Sequence, residues 1–204
     1  MIANTGNAER IAAAVAAELG TGWAVSAGYR GDGSDARLTA DGVSVHLMTD
    51  SWGHRDRYVF SGDLPRDARD FLPYRATVPE ITTAPTKTPA QIAADIRRRL
   101  LPGLVPLTAL VLTAKAEHDA AETARGELAA ELAALMGGTV YRPTHRQDGE
   151  PVAELGRYGD PLRVRVKTNH GGAGATFEID CGADIARTLA RAIAGLRGEV
   201  AAAA

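Results

Sequence analysis

Hydrophobic positions along this chain switch between a helical and a strand-like period, and the order of switching occurs twice. Residues 8–20, AERIAAAVAAELG, carry Ile11, Val15 and Leu19 at the three-to-four spacing of one helix face. Residues 127–138, ELAAELAALMGG, do the same with Leu128, Leu132 and Met136. Each helix is predicted to stop at a glycine, Gly20 or Gly137, the residue that most cheaply adopts the left-handed conformation closing a helix. A strand is expected after each, at 23–29 and at 139–143. Alternating segments follow: VSVHLMTDSWGHRDRYVFSGDLP (43–65) and LRVRVKTNHGGAGATFEIDCGAD (162–184). At a constant offset of 119, Val45, Leu47, Thr49, Tyr58 and Phe60 fall on Val164, Val166, Thr168, Phe177 and Ile179. Beyond each hairpin a closing helix is expected, QIAADIRRRL (91–100) and DIARTLARAI (184–193), with Ile92, Ile96 and Leu100 over Ile185, Leu189 and Ile193. Thr88, Pro89 and Gln91 form a helix start, with a capping threonine, proline in the first turn and glutamine three residues on.

These elements predict an α+β fold made of an internally duplicated helix, antiparallel sheet, helix module, with two copies joined by a long central helix. Apolar-in, polar-out alternation calls for antiparallel strands, about three or four per copy. In the first hairpin Met48 is expected opposite Val59 and His46 opposite Ser61. The same register in the second sets Lys167 against Glu178 and Arg165 against Asp180, with Val166 beside Ile179 and Cys181 beside Val164. The outer face is charged in the second copy and partly apolar in the first, so the first is the one expected to be covered.

The organisation along the chain is a first module over 1–103, a connecting helix over 104–138 that ends as the first helix of the second module, and a second module over 139–204. The connecting helix should run for about 30 residues, ~45 Å at 1.5 Å per residue. His118 and Arg125 on its seam weaken a coiled-coil pairing with a second copy. The first module holds an insert at 66–88 without a counterpart in the second. The stretch 68–89 has four prolines and is expected to run extended over the surface. Phe71, Leu72, Tyr74, Val78 and Ile81 make it too apolar for a plain linker. It should lie over the face bearing Met48 and Val59, or dock on a partner.

Composition narrows the function classes. Twenty-three Lys plus Arg against 25 Asp plus Glu give a net charge of −2, which does not advertise a polyanionic partner. One cysteine, Cys181, excludes an intramolecular disulfide and the usual cysteine-based zinc clusters. No uninterrupted apolar run approaches 18 residues, and the stretch near 104–112 is too short to span a bilayer, so no membrane association is expected. MIANTGNAER lacks a basic region followed by an apolar one, which points to a cytoplasmic protein.

Candidate chemistry is sparse. The hairpin tip DSWGHRDR (50–57) offers Trp52, His54, Arg55 and Arg57, which can stack on a base and contact phosphate. Alternatively Trp52 packs on the sheet and the arginines pair with Asp50 and Asp56. HGGAGA (170–175), at the same place in the second copy, lacks the aromatic and both arginines, and without a following lysine or a helix it reads as a turn rather than a phosphate loop. Arg97, Arg98 and Arg99 point in three directions about 100° apart and also complement a helix C-terminus. Arg97 and Arg98 with Arg163, Arg165 and Lys167 would form a phosphate-binding stripe if the elements adjoin, although Glu178 and Asp180 counter it on the strand. The five histidines, 46, 54, 118, 145 and 170, lack metal-ligand spacing. No serine lies in a nucleophile elbow, and no cofactor motif is present.

His54 to Tyr58, the phrase Tyr58 to Pro65 and the run Ile92 to Pro102 resemble uncharacterised proteins of actinobacterial phages and mobile elements. The resemblance covers about half the chain and implies a context without an activity. Function is therefore expected to be non-enzymatic binding of nucleic acid or nucleotide on a surface of both repeats, through Trp52, His54, Arg55, Arg57, Arg97, Arg98, Arg163 and Arg165. The alternative is an accessory protein of the phage or mobile-element type that works through protein contacts or self-assembly, including a homodimer, with Met48, Val59, Phe71 and Tyr74 at its interface. Deleting residues 68–84 separates two roles of the insert: loss of folding in circular dichroism is expected of intramolecular cover, and loss of association alone of a partner surface.

Overall fold

The computed structural model describes residues 7–50, 56–142, 151–157 and 159–203, with side chains throughout these except at 170 and 197–203. The fold is α+β, with two antiparallel sheets and four helices. Contacts divide the chain into two units, residues 1–116 and 117–204, and the division falls within the longest helix.

The first unit opens with helix α1 (Asn7–Leu19), which buries Ala8, Ala12, Val15, Ala16 and Leu19. It is followed by β1 (Ala24–Ala27), β2 (Asp35–Ala40), β3 (Val43–Met48), β4 (Tyr58–Gly62) and β5 (Glu80–Thr83), which are hydrogen-bonded in that order. Asp41 and Gly42 both have positive φ, 47° and 77°. They form the two-residue turn whose twist suits a hairpin, and this fixes Ala40 opposite Val43. Register then places Ala36, Leu38, Val45, Leu47, Phe60 and Ile81 in the core with α1 and with Ile92, Ile96, Leu100 and Leu104. Each large aliphatic side chain withdrawn in this way contributes about 1.5–3 kcal/mol. Met48 pairs with Val59 and His46 with Ser61, as the alternation predicts.

Two expectations for this half need correction. The insert does not simply run extended over the surface. It makes a 3-10 turn (Arg66–Phe71) and then supplies β5 as a fifth strand beside β4. Its Phe71, Leu72 and Val78 pack with Leu64, Ala68, Leu107 and Val111 in a small separate core, and Ile81 joins the main one. The second correction concerns the helices at 91–100 and 104–138, which are continuous. Helix α2 (Pro89–Asp95) starts at the expected capping box, in which Gln91 N donates to Thr88 Oγ1 and Thr88 N to Gln91 Oε1. It passes through a π turn (Ile96–Leu100) into α3 (Leu101–Met136). Pro102 has no N–H to offer the Arg98 carbonyl, and its ring would crowd that group. The wider turn, in which Leu101 N–H bonds to Ile96 O, accommodates it without ending the helix.

The second unit holds the remainder of α3, strands β6 (Thr139–Tyr141), β7 (Val152–Leu155), β8 (Leu162–Thr168) and β9 (Ala175–Cys181), and helix α4 (Ala183–Ala203). The strands pair in sequence order. α3 ends at Gly137, with φ 68°, where Gly138 N–H returns to Ala133 O at 2.8 Å. Ala133, Leu132 and Met136 cover Ala153, Val164 and Val166. Here the register differs by two from the expectation. Val166 lies opposite Phe177, Val164 opposite Ile179, Leu162 opposite Cys181, and Arg165 opposite Glu178. The six residues after Thr168 close through a 3-10 turn (His170–Gly172) and an Asn169 N–H to Gly174 O bond of 2.8 Å. Hairpin loop length sets register, and a shift of two leaves every side chain on its expected face. Lys167 still reaches Glu178, 2.5 Å away, as a diagonal pair.

Leu104 is fully buried while its neighbour Val105 is 47% exposed. Leu104→Ala should therefore destabilise the first unit by about 2–5 kcal/mol. Val105→Ala should change it by no more than ~0.5 kcal/mol. Urea titration followed by circular dichroism measures both.

Candidate functional site

The most organised polar constellation lies on the face of the first sheet away from α1. Alternation along β2 and β3 sends Asp35, Arg37 and His46 outward, and cross-strand pairing sets Arg37 beside His46. The turn after β1 brings Tyr29 over them, and the residue after β4, Asp63, closes the group. Asp35 is 1% exposed and accepts from the Tyr29 amide at 2.7 Å, the Arg30 amide at 3.3 Å and His46 Nε2 at 2.8 Å. Burial pushes its carboxyl up. The hydrogen bonds from His46 and the two amides outweigh this and hold it below the ordinary 3.8. A Cβ on Gly28 would collide with this carboxylate, so glycine is required beside it.

Asp63, 4% exposed, accepts from Tyr29 Oη at 2.8 Å and Arg69 Nη2 at 3.1 Å and pairs with Arg37 Nε at 2.8 Å. Arg37 also lies 4.9 Å from the centre of the Tyr29 ring, and His46 meets that ring edge-on at 5.5 Å. Withdrawal of the Tyr29 hydroxyl from water, together with its donation to Asp63, raises its pKa. The aspartates thus find their partners within the cluster, with Arg37 Nε paired to Asp63 by charge and not by a hydrogen bond, and the network fastens the 28–35 segment and the 3-10 turn to the sheet. Among the described residues no group of three or more His, Cys, Asp or Glu could hold a metal ion.

Sequence reasoning reached His46 and its facing but not this cluster. Tyr29 and Asp63 are 34 residues apart, and only the pairing of β2 with β3 brings Arg37 to His46. The one local signal was the recurrence of charged residues at outward positions of β2.

The basic residues singled out from sequence are largely engaged in the fold. Trp52, His54 and Arg55 lie outside the described residues. Arg57 borders a groove formed with Asn7, Thr49, Asp50, Asp56, Tyr58 and Pro85, and donates to Thr82 Oγ1 at 3.0 Å. Arg97 donates to the Glu18 carbonyl at 2.5 Å, in the last turn of α1, where a cation complements the helix end. Arg98 pairs with Asp95 at 3.1 Å. The hydrogen bond from Lys87, followed by the charges of Lys87 and Arg98, holds Asp95 below its ordinary pKa against the opposing effect of burial. In the second unit Arg163 forms a pair with Glu154 at 2.7 Å and Arg165 lies 3.8 Å from the same carboxylate.

The apolar candidates divide. Val59 is fully buried and has no surface to offer a partner, whereas Tyr74 is 89% exposed. Met48 is part-buried, and Phe71 is part-buried against the small core of the insert. Exposed apolar residues occur where none was singled out: Val105, Leu110 and Leu112 on α3, Phe177 and Ile179 on β9, Ile193 and Leu196 on α4. Pro89–Met136 is long and apolar enough, by length and composition alone, to cross a membrane. Its qualifying 18-residue window has a mean hydropathy of 1.3 and is 22% buried. The uninterrupted-run criterion passes over it because Thr and Gly punctuate the segment.

No family of known proteins, no curated protein and no solved structure matches the chain.

Because the folded carboxyl of Asp35 lies below its unfolded value, its contribution to stability is present above about pH 4 and is lost as pH falls through the folded value. Asp35→Asn should cost about 2–3 kcal/mol at pH 7 and flatten the acid limb of stability below pH 4. Urea midpoints measured from pH 2 to pH 7 on both proteins test this, and parallel acid limbs would count against it.

Proposed function

We propose that the protein is a non-enzymatic binding protein that acts through protein contacts, an accessory factor of the kind its phage and mobile-element resemblance suggests. One observation carries this reading: α3 is apolar around its circumference yet covered on only one side in the first unit. Leu104, Thr108 and Val111 face the core, while Val105, Leu110 and Leu112 remain between 37% and 50% exposed on its flanks. A helix apolar all round is one that is normally surrounded. The polar groups favour the same reading, because Arg97 and Arg163 are engaged by the Glu18 carbonyl and Glu154, and Arg98 and Arg165 lie within ion-pair distance of Asp95 and Glu154. The nucleic-acid reading is the second proposal; of the loop residues it would use first, Trp52, His54 and Arg55 lie outside the described residues.

The internal duplication is part of the proposal. The first unit contains the order helix, five antiparallel strands, helix and the second the order helix, four antiparallel strands, helix, the extra strand being β5 of the insert, and the offset of 119 residues preserves the inward positions of Val45 and Leu47 at Val164 and Val166. A duplicated module that keeps its core positions while its surface diverges is free to take separate partners on its two halves.

Val105→Lys with Leu110→Lys should leave circular dichroism and the urea midpoint of the first unit nearly unchanged, and should abolish capture of proteins retained by the unsubstituted chain. Equal capture by both would overturn the reading. So would oligonucleotide binding that weakens about 10³-fold or more between 50 and 200 mM salt, the signature of phosphate contacts. Flotation of the chain with lipid vesicles would instead assign the exposed flanks of α3 to a bilayer.

A further inference from the structure

The two units leave different surfaces uncovered, and the first shows what the second lacks. On β4 and β5, inward Phe60 and Ile81 are 0% and 4% exposed, in one cluster with Ile92, Ile96 and Leu100 of the helix that follows. On β9, inward Phe177 and Ile179 are 52% and 37% exposed. The chain carries a helix suited to cover them. α4 repeats the stripe of Ile92, Ile96 and Leu100 as Ile185, Leu189 and Ile193, continued by Leu196. Yet Ile193 and Leu196 are themselves 56% and 59% exposed. Two apolar surfaces in the same unit, each the kind that covers the other in the first unit, both face solvent.

Linkage accounts for this. In the first unit five residues, 84–88, join β5 to α2, long enough for the chain to reverse and lay the helix on the sheet. In the second unit Gly182 alone joins β9 to α4. Strand-to-helix turns usually take two to six residues. A shortened hinge that prevents a helix from folding back on its own sheet is a recognised route to exchange of that helix between copies. The sheet edge agrees. β5 flanks β4 in the first sheet, but among the described residues β9 pairs with β8 alone. Among the described residues the second unit therefore presents an open strand edge, a sheet face left part-exposed at Phe177 and Ile179, and a helix whose apolar stripe, part-buried at Ile185 and Leu189, is exposed at Ile193 and Leu196, and a second copy of this unit supplies all three complements.

We infer that two copies of the chain associate through the second unit, each laying the apolar face of α4 over Phe177 and Ile179 of the other. This rests on the protein-contact reading above and names one of its partners. Exposed apolar strand edges are otherwise sites of uncontrolled pairing, and exchange would close this one with a defined stoichiometry.

The test uses the full chain. Light scattering on the eluting protein should show a dimer. With Cys181→Ser as background, Phe177→Cys together with Ile193→Cys should oxidise to a covalent dimer on non-reducing gels, because the paired positions belong to different chains. A disulfide-bonded monomer would show α4 folding back on its own sheet and would overturn the inference, as would failure of the pair to cross-link. Leu196→Glu with Ile193→Glu should weaken dimerisation about 100-fold or more. Insertion of five Gly and Ser residues after Gly182 provides a second readout that leaves the apolar surface intact. It should shift the chain to monomer, and a persistent dimer would count against exchange. If the native chain is monomeric but still captures proteins through Val105 and Leu110, the exchange fails while the protein-contact function stands. If capture fails while the dimer and its cross-link persist, the reverse holds.

Discussion

An antiparallel sheet with one apolar face must have that face covered, and each part of this protein follows from how the covering is supplied. In the first unit the cover comes from both sides of the sheet in sequence. α1 precedes the strands, and the α2 segment follows them and turns back, so that Val15, Leu19, Ile92, Ile96 and Leu100 meet Leu38, Leu47 and Phe60 in one core. In the second unit the preceding helix, the end of α3, does its share, and a smaller core forms around Val164 and Val166. The following helix does not complete it, and apolar surface remains on β9 and α4. The difference in cover, more than any polar motif, is what makes the surface of this protein informative.

The insert explains much of the asymmetry. Its 3-10 turn and β5 extend the first sheet by one strand, protect the edge of β4 and provide the length of chain needed to bring α2 back. It also anchors the beginning of α3 through Phe71, Leu72 and Val78 against Leu107 and Val111. Gly62 marks how closely these parts approach, because a side chain there would collide with Leu104 and Val78. One stretch without a counterpart thus supplies strand, edge protection and hinge to the first half.

The most organised polar chemistry in the described residues is a cluster on the outer face of the first sheet. Asp35 and Asp63 gather His46, Tyr29, Arg37 and Arg69 into a network whose members are one another's partners. Buried carboxylates are tolerated only when hydrogen-bonded or paired, so such a network favours one arrangement of the connecting segments. The same accounting applies to Arg97, which closes the end of α1, and to Arg163, held by Glu154. Among the described residues, the exposed apolar side chains of α3, β9 and α4 are the surface on which the protein-contact proposal rests.

Much of the local structure was legible before any coordinates. The period of Ile11, Val15 and Leu19, the capping box at Thr88, the glycine stop at Gly137 and the facing of Val45 against His46 are all set by residues within a turn or two of one another, and each appears as read. The features that escaped depend on closure between distant segments. Register in the second hairpin was decided by how tightly residues 169–174 turn, Pro102 was absorbed because a π turn accommodates it and joins α2 to α3, and the insert became a strand because β4 offered it an unpaired edge. Asp63 finds Tyr29 across 34 residues only once the sheet exists. Local preference fixes which side a residue faces. Which partner it meets there is decided by loop length and by the competition of other segments for the same surface.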